Sequence, residues 1–382
     1  MKRIYFDNNA TTQVLLEVRE AMLPYLGDRF GNPSSIHHFG EEARWGIEEA
    51  RQQVASLFHC QPGRLVFTSG GSEANNFAIW SAIQAYPDKK HIISSQVEHA
   101  SVLRPLHFLK SQGYDIELLP VDTSGALDCD ALAAAIRPDT VLVSLMGANN
   151  ETGVLWPIER IGELCREKGV LYHCDAVQML GKVSLDLDHL PVDYLSAAGH
   201  KIHGPKGIGA LYLKRTAPVT PFVMGADQEE GRRAGTENLP GIAGFGKACE
   251  CAVSAPNDFH KRIAPLRDRL EEGIVRDIPE VMINGKGMPR LANTLNVSFR
   301  YCSSAGLIQE LDEKGIAVSA HSACQSGDLD PSHVLAAMKV PEEYRHGTLR
   351  ISLGRLNTLD EVEYLLDILP GIVSKFRQEM AI

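Results

Sequence analysis

Short apolar runs punctuate this chain, and amphipathic stretches fill the spaces between them. Residues 64–68, 91–95, 140–145, 170–174, 194–198 and 208–213 form such runs without strict alternation of apolar and polar positions. Runs of that kind suit strands covered on both faces. Between two of them, residues 159–168 place Ile161, Leu164 and Cys165 on one helical face. Strand–helix alternation sustained over about 200 residues predicts an α/β domain with a mostly parallel sheet.

The register changes near Ser254, Ala255 and Pro256. A helical pattern follows, with Phe259, Ile263, Leu266, Leu270 and Ile274 on one face, then an apolar run at 293–299 and a closing helix from about Leu359. The expected organisation is a large domain over 15–255 and a smaller α+β domain formed by 1–14 and 256–382. In open α/β sheets, ligands sit outside the carboxyl ends of the strands. The residues that follow the apolar runs are therefore the candidates for chemistry.

Composition narrows the options. The 382 residues carry a formal net charge of −10, so there is no basic excess to neutralise a nucleic-acid backbone, and direct nucleic-acid binding is not expected. The first residues, Met1 to Asp7, lack the apolar run of a secretion signal, and no stretch approaches the roughly 20 apolar residues that span a bilayer. A cytoplasmic location and no membrane partner are expected. The eight cysteines form no Cys-x-x-Cys pair and no zinc spacing, which predicts reduced thiols and no resident metal.

Five segments carry candidate chemistry. Residues 68–76, Thr-Ser-Gly-Gly-Ser-Glu-Ala-Asn-Asn, lie between a strand and a helix. Gly71 and Ser72 there suit either an anion at a helix N-terminus or a plain capped turn. The segment is neither a Walker loop nor a Gly-x-Gly-x-x-Gly fingerprint, which weakens a nicotinamide oxidoreductase reading. Asp175 follows a buried run, where an acid needs a partner such as a protonated pyridine nitrogen, with Gln178 three residues on. Lys201 follows another run and precedes a Gly/Pro-rich bend, a place for an amine that forms a Schiff base; Lys206 competes for that role. His99 at a strand end suits ring stacking or proton transfer as well as a structural role. Finally, residues 319–328 are small and polar, so Cys324 there is not a packed hydrophobe and reads as a nucleophile.

Taken in order, these segments resemble the cysteine desulfurases of the nitrogen-fixation and iron–sulfur-cluster type, within the fold-type I, class V aminotransferases. The likeness extends almost end to end: Tyr5 to Thr12, Gly31 to Ser35, Ser69 to Glu73, Glu98-His99, Asn149 to Gly153, Asp175 to Gln178, His200-Lys201, Gly231 to Asn238, Ser322-Ala323-Cys324 and Arg350. The resemblance implies a large domain with a seven-stranded type of sheet, pyridoxal 5′-phosphate as cofactor, and L-cysteine as substrate. It implies that Lys201 binds the cofactor aldehyde, Asp175 pairs with its ring nitrogen, His99 stacks on the ring and carries protons, and Asn150 and Gln178 contact the ring hydroxyl. Gly71, Ser72 and His200 would hold the phosphate, with Thr236 reaching across a homodimer. Asn32 and Arg350 would bind the substrate carboxylate. Cys324 would take the sulfur as a persulfide, leaving alanine, and pass it to an acceptor protein serving iron–sulfur assembly, tRNA thiolation or DNA phosphorothioation. As a thiol it is also a candidate transient iron–sulfur ligand.

Departures from the family pattern are Ala198, where many relatives carry Ser or Cys, Asp227 in a usually Gly-rich run, His321 for a usual Gly and Gln325 for a usual Thr. A selenocysteine or cysteine-sulfinate lyase is the alternative within the cofactor class. A non-catalytic scaffold is the alternative outside it, disfavoured because Lys201 and Asp175 are both present.

Overall fold

The computed structural model describes residues 3–320 and 332–380; Cys324, His321 and Gln325 lie outside the described residues. The strands in chain order are β1 (Ile4–Tyr5), β2 (Leu65–Thr68), β3 (His91–Ser95), β4 (Asp115–Leu119), β5 (Thr140–Met146) and β6 (Leu171–Asp175). They continue with β7 (Tyr194–Ala198), β8 (Gly209–Leu213), β9 (Val281–Ile283), β10 (Thr294–Phe299), β11 (Ile316–Ala317) and β12 (Thr348–Ser352). The predicted runs match strands to within a residue or two. The strand β4 was not anticipated: its Asp-Ile-Glu-Leu-Leu carries two acids, as an edge strand tolerates.

Seven strands form the central sheet in the order β2-β8-β7-β6-β5-β3-β4, parallel throughout except for β8. Crossovers between parallel neighbours usually run through a helix, which explains the amphipathic stretches, although the β6–β7 crossover runs through tight turns instead. Helices α1 (Leu16–Met22), α2 (His38–Phe58), α3 (Gly71–Ala85) and α4 (Ala100–Ser111) precede the middle of the sheet; α5 (Cys129–Ala135), α6 (Ile158–Lys168) and α7 (Leu239–Ala252) follow. The apolar sides of α3 and α4, through Phe77, Val102 and Leu106, pack on one sheet face with Val66, Ile92 and Leu211. Ile47 and Val54 of α2, Ile161 of α6 and Phe245 of α7 join the core on the other. Both faces are covered, which is why the strand runs lack alternation.

The C-terminal region forms an antiparallel sheet, β12-β10-β9, and β1 pairs in parallel with β11. The start of the chain is thereby joined to its C-terminal part. Phe259, Ile263, Leu270 and Ile274 are buried as the helical pattern predicts, and the closing helix spans Leu359–Met380. Among the described residues no helix is long and apolar enough to cross a membrane.

One ion pair pins the edge of the central sheet. Arg51 of α2 donates to both carboxylate oxygens of Glu229, at 2.7 and 3.0 Å, and lies over the Phe67 ring. Glu229 also accepts from the Phe67 N–H. These contacts hold Glu229 at positive φ, 51°, a conformation non-glycine residues adopt only when their surroundings impose it. Removing one member of a buried pair strands the other charge at a cost of about 3 kcal/mol or more. Arg51→Met is expected to lower the unfolding free energy by that order in urea titration, and adding Glu229→Gln to recover part of it.

Candidate active site

The carboxyl ends of the central strands open into one cavity. Met146 ends β5, Asp175 ends β6 and Ala198 ends β7, and all three line it. His99 follows β3 and N-caps α4; Gly71 begins α3 just after β2. Nine residues predicted from sequence come together here: Gly71, Ser72, His99, Asn150, Asp175, Gln178, His200, Lys201 and Arg350. This convergence of distant segments follows from a parallel sheet, whose strands all present the same end.

Lys201 closes a single helical turn, Gly199–Lys201, directly after β7. Its Nζ donates to the carbonyl of Asn9 at 2.5 Å and of Ala10 at 2.8 Å. The N-terminal segment is itself clamped onto that turn. Thr12 donates twice to the His200 carbonyl and its hydroxyl accepts from the His203 N–H. Lys206, the competing lysine, is exposed and lines an adjoining hollow beside the α3 N-terminus instead, so only Lys201 shares the cavity with Asp175.

Asp175 is buried and belongs to β6 rather than following it. One carboxylate oxygen accepts from the Val177 N–H at 3.0 Å and the other from Asn75 Nδ2 at 2.7 Å. Asn75 also donates to the Ser101 hydroxyl, which lies 2.7 Å from His99 Nδ1. The Ser101 N–H donates to that same Nδ1, so a neutral His99 carries its proton on Nε2. Asp175, Asn75, Ser101 and His99 thus form one oriented chain of polar groups. Asn75 and Ser101 were not singled out from sequence. Asn75 stands one helical turn beyond Gly71, a spacing that places both on the same face of α3.

Arg350 is fully buried on β12. It donates to the Asn150 carbonyl at 3.1 Å and to Asp7 at 2.9 Å, and its Nε has no partner among the described residues. Gly71 and Ser72 sit where α3 presents free N–H groups to the cavity and to the adjoining hollow, and His200 borders both. At Gly71 an added Cβ would come within 2.6 Å of Val177, which fixes glycine at this position. Burial and the nearby Lys201 charge push the His200 imidazole down to about 3, so it is neutral at ordinary pH.

Two of the expected site residues fall elsewhere. Asn32 and Thr236 are exposed and line neither hollow in this single chain. Asp227 also lines neither; it precedes the short turn Gln228–Gly231, so its charge does not border the α3 N-terminus. Cys324 is outside the described residues, yet the chain on either side is fixed near the cavity. Ser319 pairs with Arg350 through two backbone hydrogen bonds, and His333 Nε2 lies 3.0 Å from the Glu98 carbonyl beside His99.

Comparison with known proteins defines the class first. The chain belongs to the aminotransferase class-V family, whose profile it matches over residues 4–365. Within that family it is 48% identical to cysteine desulfurase 2 of Trichormus variabilis over 377 residues, 99% of this chain and 94% of that protein. Among solved structures it is similar to a NifS-like protein, with a TM-score of 0.92 and 37% identity over 98% of this chain and all of the other. It also resembles SspA in complex with cysteine, with a TM-score of 0.81 and 36% identity, covering 92% and 99% of the two chains.

Glu98 was matched by the resemblance but given no role. It is wholly buried, accepts from the Ser95 hydroxyl and the Met146 N–H, and leaves its second oxygen without a partner among the described residues. Burial, with a smaller contribution from Asp175, pushes its carboxyl up to about 8. A raised carboxyl stabilises the fold, relative to its ionised form, in full below the unfolded value near 4.5, and that contribution is lost as pH climbs through about 8. Glu98→Gln is expected to flatten the fall in stability between pH 5 and 8, seen by comparing urea midpoints of variant and parent across that range.

Proposed function

We propose that this chain is a pyridoxal-phosphate-dependent cysteine desulfurase, acting as a homodimer in the cytoplasm and passing sulfur from L-cysteine to an acceptor protein. The observation that carries the reading is Lys201 and Asp175 lining one cavity with His99, Gln178 and Arg350. The cavity's chemistry fits this cofactor. It offers an amine for the aldehyde, a buried carboxylate for the ring nitrogen, and helix N–H groups with Gly71 and Ser72 for the phosphate. It also offers buried cations, Arg350 among them, suited to anionic groups.

Bound there, pyridoxal phosphate supplies an electron sink for the carbon α to the substrate carboxylate. Lys201 takes the α-proton on Nζ and later returns it. Its hydrogen bonds to the Asn9 and Ala10 carbonyls hold that nitrogen at the cavity wall. Asp175, steadied by Asn75 and Val177, keeps a negative charge where the ring nitrogen would lie. His99 presents Nε2–H as proton carrier beside the substrate sulfur, its orientation set by Ser101. Arg350 grips the substrate carboxylate with donor capacity that includes its Nε, which has no partner among the described residues. Thr236, exposed in the single chain, is assigned to the cofactor phosphate across the dimer interface.

Cys324 completes the transfer. Its thiolate attacks the substrate sulfur; an S–S bond forms, the C–S bond breaks, and the carbon keeps that electron pair and gains a proton. The balance is one cysteine and one thiol in, one alanine and one persulfide out. The anchoring of residue 319 beside Arg350 and of residue 333 beside Glu98 is consistent with this role for Cys324.

Two substitutions separate the parts. Lys201→Ala is expected to abolish the visible absorbance of the purified protein and its alanine production. Cys324→Ser is expected to keep the absorbance and its change on adding cysteine, while sulfide release under reducing conditions falls at least about 100-fold, an assay read by methylene blue and alanine analysis. Undiminished sulfide release from Cys324→Ser would remove the persulfide route.

A further inference from the structure

A second lysine lies in the shell of the cavity. Lys182 is 4% exposed, and among the described residues no carboxylate pairs with its ammonium group. Its Nζ donates instead to the side-chain oxygens of two amides, Gln178 at 2.9 Å and Asn9 at 3.3 Å. Gln178 and Lys182 sit four residues apart on a run of tight turns after β6, so their side chains share a face. Gln178 Nε2 donates to the Asn9 carbonyl at 3.0 Å, the same oxygen that accepts from Lys201.

Each amide orientation is forced. An ammonium group only donates and a carbonyl only accepts, so Gln178 turns its oxygen to charged Lys182 and its nitrogen to Asn9. Asn9 is held likewise: Oδ1 accepts from Lys182 and Asn293, and Nδ2 donates to Thr294 and the Asn150 carbonyl. We propose that Lys182 is a positioning residue of the desulfurase reaction: its ammonium fixes the Gln178 and Asn9 amides against Lys201 and supplies a second buried positive charge beside it.

The charges around Lys182 support this. The groups that bear on it are Lys201 on the turn after β7 and Arg350 on β12, both cationic, with neutral His200 and His203 nearby and Arg355 bordering a small cavity behind it. Burial first, then Lys201 and Arg350, push its pKa down to about 7. Burying a cation among cations is costly unless an anion is to arrive. An anionic ligand in the adjoining cavity favours the charged form of Lys182, and the charge in turn disfavours a proton on the nitrogen of Lys201.

This inference rests on the reading of Lys201 as the cofactor-binding lysine, and the test separates the two. The visible band of the holoenzyme is titrated with pH, and pyridoxal-phosphate affinity is measured on the apoenzyme. Lys182→Gln, which retains a donor without the charge, should move the midpoint of the band upward by about one unit. Its affinity should stay within about threefold of the parent. Lys182→Met should move the midpoint similarly and weaken affinity about tenfold, a loss that disappears in a Gln178→Ala background because both act through one amide. A merely structural lysine would leave the midpoint in place. A normal parental band with an unmoved midpoint in Lys182→Gln, or a Lys182→Met affinity loss that persists in full without Gln178, overturns this proposal alone. A parent without a visible band overturns the reading of Lys201 as well.

Discussion

The backbone carbonyl of Asn9 is the point on which the site is assembled. It accepts from Lys201 and from Gln178, and the Asn9 side chain and N–H reach Lys182, Asn293, Thr294 and Ser352. Groups from the turn after β6, the turn after β7 and strands β10 and β12 of the C-terminal sheet therefore converge on one residue. Asn9 is 1% exposed, so every one of these bonds forms away from water, where an unmet polar group is expensive. The N-terminal segment must cross the mouth of the central sheet for Lys201 to be held where it is.

The electrostatic character of the cavity follows from the same packing. Lys182, Lys201 and Arg350 are brought close by chain crossings, and the carboxylates bordering them, Asp7 and Asp175, are already engaged by Arg350 and Asn75. Glu98 is driven toward its neutral form and the His200 and His173 rings lose their protons. Burial thus strips charge from the supporting groups and leaves positive charge at the cavity wall. Such a site suits a ligand that carries phosphate and carboxylate together.

Part of this was legible in the residues. Asp175, Lys201 and His99 each follow an apolar run, and a parallel sheet necessarily brings such positions to one edge. Asn75 was less visible because its meaning depends on helical phase and on which face of α3 meets Asp175. Lys182 and Glu98 were harder still. A lysine and a glutamate are ordinarily solvated, and nothing local to either marks it as buried. Their unusual state is imposed by other elements: Asn9 lies 173 positions from Lys182 and Met146 lies 48 from Glu98. Asn32 and Thr236 show the opposite limit, since one chain leaves both at its surface.

By itself the sequence determined the α/β class and six strands of the central sheet, because hydrophobic periodicity is a local property, and the resemblance carried by its motifs chose between chemistries. Tertiary structure alone decided that Lys201 rather than Lys206 shares a cavity with Asp175, and that Lys182 is entombed beside them. The reason is physical. Periodicity says which side chains leave water, but the partner that compensates a buried charge is chosen by the crossing of distant segments, and no local pattern encodes that crossing.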